Sequence, residues 1–439
     1  MADILILGAG VSGLAVAEWL RDDHNVQVLE AGPGPGGKVS SEVVDGFTFD
    51  RAANGWLDNE PAMERLLLRA GLSQQVVKAT PGGTRYVVVN GKMTALPAKP
   101  PQMLTSPVLT LGGKLRMAWD LFAPGFDGEE SVAQFVRRRL GQEALERLVQ
   151  PMVTGIYAGD VENMSVQGAF PKLKELERQH GSLLRGAIAR RSAETGPSGT
   201  LTSLVGGAGV LTRTLAERAT VHCNQAATGL ERVGERWRVQ TAQGSLDADA
   251  VVVGTPAYVA AELTAGLDTE LSQALGAIPY APVAVVGQGL PRSGWDPPEG
   301  FGVLVPEVER MGILGTLFTS SIFPSRAPED GVTLRTLLGG ALHPRQALLE
   351  PEALVEIARR EVGKLVGELP PARVIRVYRH ERAIPQYTLG HPGRVEVIEA
   401  AEQRHRGLVF VGNHLRGIGV KDCARTSEGA VRKLQEALD

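Results

Sequence analysis

The chain has 439 residues, 43% hydrophobic and 22% charged, with a formal net charge of −3 at pH 7. It is too long for one simple core, ordinary in composition for a soluble globular protein, and without the basic excess of a nucleic-acid binder, so nucleic acid is not an expected partner. Its two cysteines exclude a disulfide framework and fit a reducing compartment, and no CxxC or HxxxH spacing suggests zinc. No apolar run is long enough to span a membrane. The start runs straight into a strand with no basic and apolar leader, so a signal peptide is not expected and a cytoplasmic location is.

Residues 1–60 open with a βαβ pattern. Asp3 to Leu7 is an apolar strand, Gly8, Gly10 and Gly13 fit GxGxxG, and Gln27 to Glu30 is a second strand ending on an acid. Gly8 permits the tight turn, Gly10 lets backbone approach a pyrophosphate, and Gly13 lets the helix pack close to the strand. Val11, Ser12 and Gly13 open the helix, whose N–H groups and positive dipole suit phosphate. Glu30 is placed to accept hydrogen bonds from an adenosine ribose. Together these features predict a dinucleotide site without saying which dinucleotide. Gly36 and Gly37 could let backbone pass the same pyrophosphate, with Lys38 adding charge; a surface turn explains them equally well.

A region punctuated by Pro and Gly follows to about residue 108. Within it Arg85 to Met93 reads as a hairpin around a type I′ turn at Asn90-Gly91. Residues 109–195 are mostly helical by pattern, with apolar stripes over Ser131 to Leu140, Glu143 to Val149 and Gly168 to Arg191. Leu111, Leu115, Ala118 and Phe122 recur at helical spacing beside Lys114 and Arg116. This suits an interfacial helix, although periodicity alone favours an amphipathic helix packed on its own domain. Ser192 to Gly199 reads as a loop or linker.

Around 200–255 the α/β pattern returns, with a helix over Val210 to Arg218 and strands at Trp237 to Thr241 and Ala250 to Gly254. The strand-like stretch Ala219 to Leu230, which includes Ala227, can lie along an adenine through its backbone alone. Residues 260–390 alternate strands and turns, with one charged helix from Pro351 to Leu365. A buried strand at Gly407 to Gly412 precedes glycine-rich turns and a helix over Ser427 to Leu438. The buried strands near 250 and 410 are the parallel neighbours the first strand needs, so the domain is built from distant pieces and the rest is inserted.

Gly412 and Asn413 end that last strand, and Gly417 to Gly419 turn toward a helix. A second glycine-fed helix start suits the partial negative charge that a reduced flavin develops. Two such starts at opposite ends of the chain suggest one long cofactor held at both, which FAD matches and a nicotinamide does not require. No catalytic acid or base stands out, since a turn or cap explains Asp160 equally well. A flavin oxidase needs none: it must hold a C–H bond near the flavin and exclude water.

With these residues in view, the whole chain resembles the oxygen-dependent, FAD-containing protoporphyrinogen oxidases of the amine-oxidase-like flavoprotein superfamily. The match runs from Gly8–Gly13 and Gly36-Gly37 through Arg85–Gly91, Thr154–Asp160, Gln179–Gly186, Gly302–Pro306, Leu338–Gly340 and Ile384–His391 to Gly412-Asn413 and Gly417–Val420. The segments GIYAGD (155–160) and IPQYTLGH (384–391) are the most specific to that family. The resemblance implies an α/β fold: a discontinuous Rossmann-like FAD-binding domain (1–85, 196–260 and 396–439), an inserted helical, membrane-facing domain (86–195), and a mixed-sheet substrate-binding domain (261–395). It implies FAD contacts from Gly8, Gly10, Val11, Ser12, Gly13, Glu30, Gly36, Gly37, Lys38, Ala227, Gly412, Asn413, Gly419 and Val420. The FAD is expected to be non-covalent, because no cysteine sits at a tether position, although Cys423 is near the C-terminal motif.

The resemblance also implies a substrate, protoporphyrinogen IX or the related coproporphyrinogen III. Three two-electron steps with O₂ as acceptor would give the porphyrin and H₂O₂ in haem biosynthesis. Arg85 would pair with a propionate, Gly155 and Gly159 would approach the ring with backbone, and Phe301, Leu304, Leu337 and Ile384 would line an apolar pocket. Two departures stand out: Lys38 where related flavoproteins commonly carry Arg, and Phe49 to Trp56 in place of the family's Glu-x-Gly-Pro-Asn pattern. The rivals are a flavin amine oxidase, a carotenoid-type desaturase, or a flavin- or porphyrin-binding protein without turnover. His414 and Leu415 supply no aromatic pair after Gly412-Asn413, which disfavours amine oxidation. Peripheral contact with the cytoplasmic face of a membrane accompanies the resemblance, and a homodimer is left open.

Overall fold

The computed structural model describes residues 1–97, 100–192 and 199–438. Five parallel strands form one sheet in the order Thr220–His222, Asn25–Leu29, Asp3–Leu7, Ala250–Val253, Leu408–Phe410. The strand at 408–410 thus reaches the first strand only through 250–253. Ile4 and Ile6 face a core shared with the helices Val11–Leu20, Gly209–Glu217 and Val420–Leu438. Leu5 and Leu7 face the other way, against Trp237, Val239 and the helix Ala257–Thr264. Both faces are covered, so these strands are continuously apolar rather than alternating.

A second sheet of seven strands runs Val374–Pro385, Tyr280–Pro291, Gly331–Gly339, Gly315–Leu317, Gly302–Leu304, Arg85–Val89, Lys92–Ala95. It is antiparallel except where Gly302–Leu304 pairs in parallel with Arg85–Val89, which makes it mixed. The hairpin at 85–95 is therefore bonded into this sheet rather than to the helices that follow it. Its turn residues Asn90 and Gly91 both have positive φ, 52° and 73°. Val303, Leu334, Leu338 and Val286 bury one face of the sheet against the helix Pro351–Val366. The opposite face carries Arg85, Leu304, Leu337 and Val285.

The stretch between 100 and 192 is helical but more broken than its apolar pattern suggests. Residues 168–191 are not one run: Val166–Ala169, Pro171–His180 and Leu183–Ser192 are separate helices. Pro171 starts the second, and Gly181, with φ 68°, ends it in the left-handed conformation that favours glycine. Ser131 caps Val132–Arg139 with a full capping box to Gln134. The Leu111–Ala118 helix corrects a second expectation. Its stripe does not pack on its own domain, since Leu111, Leu115 and Phe122 are 73%, 67% and 71% exposed. The C-terminal helix begins at Val420, not Ser427, because the Asp422 carboxylate accepts the Gly419 N–H at 3.1 Å and caps an extra two turns. Of the expected linker, residues 193–198 lie outside the described residues, and Ser192 closes a helix. Among the described residues no helix is long and apolar enough to cross a membrane.

Candidate cofactor and substrate site

The three N-terminal glycines do three different things. Gly8 has φ +102°, and its N–H donates to Leu29 O at 2.7 Å, which closes the turn onto the second strand. A Cβ on Gly13 would lie 2.1 Å from Gly8 O, so helix and strand meet at a distance that only glycine allows. Gly10 is in an ordinary extended conformation, and a Cβ there would meet nothing within 4 Å. Open space therefore faces the helix start, and no side chain caps it. Val11 and Ser12 are buried behind it, with Ser12 O accepting from the Ser427 hydroxyl.

Glu30 binds the same turn. Its carboxylate accepts the Ala9 N–H at 2.8 Å and the Gly32 N–H at 2.7 Å, so it orders the glycine loop while keeping lone pairs for further donors. Gly36 bridges to Gly10, and its N–H donates to Ala9 O. Gly37 sits directly over Gly10, where a Cβ would come 3.4 Å from the Gly10 Cα. The Lys38 ammonium donates to the carbonyls of Arg382 and Ala383, both at 2.6 Å, and lies 5.2 Å from the Tyr280 ring. Burial lowers its pKa to about 8. Lys38 therefore ties the first cofactor loop to the end of the seven-stranded sheet. Ala227 opens the strand Ala227–Val233, just past a turn whose Gln225 N–H donates to Glu30 O. The stretch 219–230 is thus two strands joined by a turn, not one.

At the other end, Gly412 has φ +144°, and a Cβ on it would strike His414 Nδ1 at 2.8 Å. The imidazole folds back over the glycine, and burial lowers its pKa to about 3, so it is neutral near pH 7. Asn413 O accepts the Tyr387 hydroxyl at 2.6 Å. Gly419 and Val420 begin the C-terminal helix. Burial pushes the Cys423 thiol up to about 11 and keeps it protonated.

These surroundings fit a bound dinucleotide. Asn54 Nδ2, Thr255 Oγ1 and His414 Nε2 are buried without a hydrogen-bond partner, an arrangement that proteins avoid unless something else satisfies the group. Thr255 adjoins Gly8, and His414 adjoins Gly412. With the open space at Gly10, the unpartnered Thr255 and His414 atoms lie beside the two glycine turns.

The expected substrate residues fall into two groups. Arg85 is exposed, with its guanidinium 4.9 Å from the Phe301 ring, and it makes no ion pair with a described carboxylate. Arg85 pairs in register with Gly302, and Val87 with Leu304. Leu304 packs on Gly155, where a Cβ would sit 2.7 Å from its Cδ2. Leu304 and Leu337 flank Gly315, and Leu337 and Ile384 share a cluster with Ala158. Leu304, Leu337 and Ile384 are only half-buried, unlike the residues on the other face. Gly159 stands apart: a Cβ would lie 2.4 Å from Met164 Sδ and 2.8 Å from Gln386 Oε1. It adjoins a cavity of about 470 Å³ lined by Asp160, Asn163, Met164, Tyr280, Gln386 and Thr388.

Sequence reasoning missed Arg335. It is buried on the same sheet face as Leu337, with one N–H on Ala52 O and Nε unpartnered. Burial lowers its pKa to about 10 despite Asp50 nearby. The signal was present: an arginine in the apolar strand Gly331–Gly339.

A sequence model of the flavin-containing amine oxidoreductases matches residues 11–434. The chain belongs to this family. It is an oxidoreductase, and its cofactor is FAD. Over 99% of its length it is 31% identical to the chloroplastic protoporphyrinogen oxidase of Nicotiana tabacum, of which 85% is covered. It is 27% identical to the coproporphyrinogen III oxidase of Bacillus subtilis, covering 98% of this chain and 97% of that one. A crystal structure of a candidate protoporphyrinogen oxidase from Exiguobacterium sp. 255-15 superposes with a TM-score of 0.87 at 24% identity, covering 99% of this chain and 98% of the other. At that identity the superposition speaks for the fold.

Proposed function

We propose that this chain oxidises protoporphyrinogen IX to protoporphyrin IX with O₂ as acceptor, releasing H₂O₂. The observation that carries the reading is the unpaired Arg85 at the rim of a half-buried apolar sheet face formed by Leu304, Leu337 and Ile384. A porphyrinogen is a large apolar macrocycle with carboxylates at one edge, and this face offers the matching chemistry. Bound FAD supplies a two-electron acceptor, so six-electron oxidation requires three turns of the same site. The chain's part is positional. Arg85 takes a propionate through its planar fork, and Phe301 holds the guanidinium from below. Leu304, Leu337 and Ile384 exclude water from the macrocycle, and Gly155 leaves room for the Leu304 side chain among them. The proton that accompanies each hydride comes off a pyrrole N–H and is taken up in forming H₂O₂, so no acid or base is needed at the carbon that loses hydride.

Coproporphyrinogen III is the second reading, and Arg335 favours it. That substrate carries more carboxylates, and Arg335 is a second, incompletely paired cation on the same sheet face. Steady-state comparison of the two porphyrinogens decides between them. An anaerobic mixture tests both: porphyrinogen should bleach the flavin band at about 450 nm. Bleaching by a primary amine but not by either porphyrinogen would sink the proposal.

We also propose peripheral membrane contact through the helical stretch. Leu104, Leu111, Leu115, Trp119, Phe122 and Ile188 are exposed there, with Lys114 beside them. Trp119→Ser with Phe122→Ser should abolish co-sedimentation with anionic vesicles; undiminished binding by that variant would refute it.

A further inference from the structure

The segment Ile384–His391 supplies one apolar residue to the substrate face, which leaves the rest of it, Gln386-Tyr387-Thr388-Leu389-Gly390-His391, without a role. Its side chains meet the C-terminal glycine turn. The Tyr387 hydroxyl donates to Asn413 O at 2.6 Å, and the Gly417 N–H faces the Tyr387 phenol oxygen itself. His391 Nε2 lies 3.0 Å from Leu415 O, which can only accept, so the proton sits on Nε2 and Nδ1 is an unpartnered acceptor. The two rings stack on each other, 4.0 Å between centroids and 10° from parallel. Both side chains are almost fully buried. One stacked pair thus fastens Asn413 and Leu415, with Gly417 beside it, across a turn whose other ties are the Leu415 N–H on Gly412 O, the Arg416–Glu399 ion pair and the Arg425 guanidinium on Arg416 O.

The pair is itself anchored from the other side. Ser165 N–H donates to Tyr387 O at 2.8 Å, Leu389 N–H to Asn163 O at 3.0 Å, and Thr388 bridges to Met164. The Gly390 N–H reaches the Glu129 carboxylate. The Tyr157 ring packs edge-on to Tyr387 at 5.7 Å, and Gln386 Nε2 donates to Tyr157 O at 2.8 Å. The helical stretch, through its GIYAGD segment, therefore bears on the cofactor turn through these residues.

We propose that Tyr387 and His391 are positioning residues that hold the 412–417 turn in the conformation that receives FAD. Neither is placed on the cofactor or the substrate; each acts through the backbone of Asn413 or Leu415. Holding the turn before binding removes an ordering cost from the binding step. The proposal rests on FAD as the cofactor and not on the identity of the substrate, so it is tested without substrate.

The variant Tyr387→Phe keeps the stack and deletes only the hydroxyl. His391→Leu deletes the donor, and His391→Gln restores an N–H of similar reach. Apoprotein prepared by FAD removal should rebind FAD roughly tenfold more weakly in Tyr387→Phe and His391→Leu, a change of the size one buried hydrogen bond gives. The bound flavin should show a shifted absorption band and midpoint potential, and His391→Gln should recover most of the affinity. Apoprotein melting temperatures should stay close to wild type for Tyr387→Phe. Unchanged FAD affinity and potential in Tyr387→Phe would overturn the proposal. So would affinity losses that merely follow apoprotein melting temperature across the three variants.

Discussion

The two glycine turns that bracket the candidate cofactor site are held by opposite means. The first is held by its own βαβ unit, through backbone packing and one carboxylate just past the second strand. Gly8 turns, Gly13 packs, and Glu30 binds the loop through two N–H groups. The second is fastened from outside it, by Tyr387 and His391 on its backbone, by Glu399 on Arg416 and by Arg425 on Arg416 O. A turn of the first kind tolerates almost no change at Gly8 and Gly13, while one of the second kind is vulnerable at a distance.

The largest effect should come from Gly13→Val. The added Cβ would begin 2.1 Å from a carbonyl oxygen that is part of the strand end, with no flexible side chain to yield. Overpacking of this sort costs about 1–3 kcal/mol, and a backbone clash lies at or beyond the top of that range. Chemical denaturation should show the loss, and the purified protein should be colourless. A yellow protein of wild-type stability would break the contrast at its firmest point.

Gly10→Ala separates binding from folding at the same turn. The backbone there suits any residue, and the methyl would enter empty space, so stability should hold or rise by about 0.4–1 kcal/mol. If that space belongs to the pyrophosphate, FAD affinity should fall by about tenfold or more, measured by titrating apoprotein. Unchanged affinity would mean that the opening at Gly10 receives nothing.

Moving from the turns to the sheet face, Arg85→Ala should raise KM for porphyrinogen by roughly tenfold, with kcat and FAD content little changed, because an exposed guanidinium contributes binding common to ground and transition states. Steady-state kinetics with flavin quantitation checks it. Loss of FAD instead would move Arg85 out of the substrate site and join the sheet face to the cofactor turns.

The same contrast explains what the sequence made legible. The first turn is local: strand, glycines, helix and acid lie within residues 3–30, and their spacing carries their physics. The hairpin at Asn90-Gly91 was legible for the same reason. The second turn was visible as Gly412-Asn413, but its fastening was not, because nothing at Asn413 announces Tyr387. The 111–122 stripe gave the correct period and the wrong partner, since periodicity defines an apolar face without saying what it meets. The break at Gly181 was hidden because an apolar stripe continues in pattern across a residue whose φ is positive. Arg335 sits within a stretch read only as alternating strands and turns, and its meaning depends on Ala52, which only the fold brings near.

The smallest effect concerns the support behind the second turn. Glu177 lies in the helical stretch among Arg138, Arg139 and Lys174, with Arg139 fully buried. Burial alone would raise the Glu177 pKa, but hydrogen bonds from Arg138, Lys174 and Arg139 outweigh it and bring it from 4.5 to about 2. The folded form then holds fewer protons than the unfolded form between those values. Its contribution to stability is complete above pH 4.5 and is lost as pH falls through about 2. The melting-temperature gap between wild type and Glu177→Gln should therefore be full at pH 5 to 7 and should narrow below pH 4.5. Flavin fluorescence adds the discriminating reading. Because the segment carrying Tyr387 hangs from Asn163 and Ser165, loosening the helices should release flavin before the five-stranded sheet unfolds. If flavin release and sheet unfolding coincide across this pH range, the second turn is held as locally as the first, and the contrast between them fails.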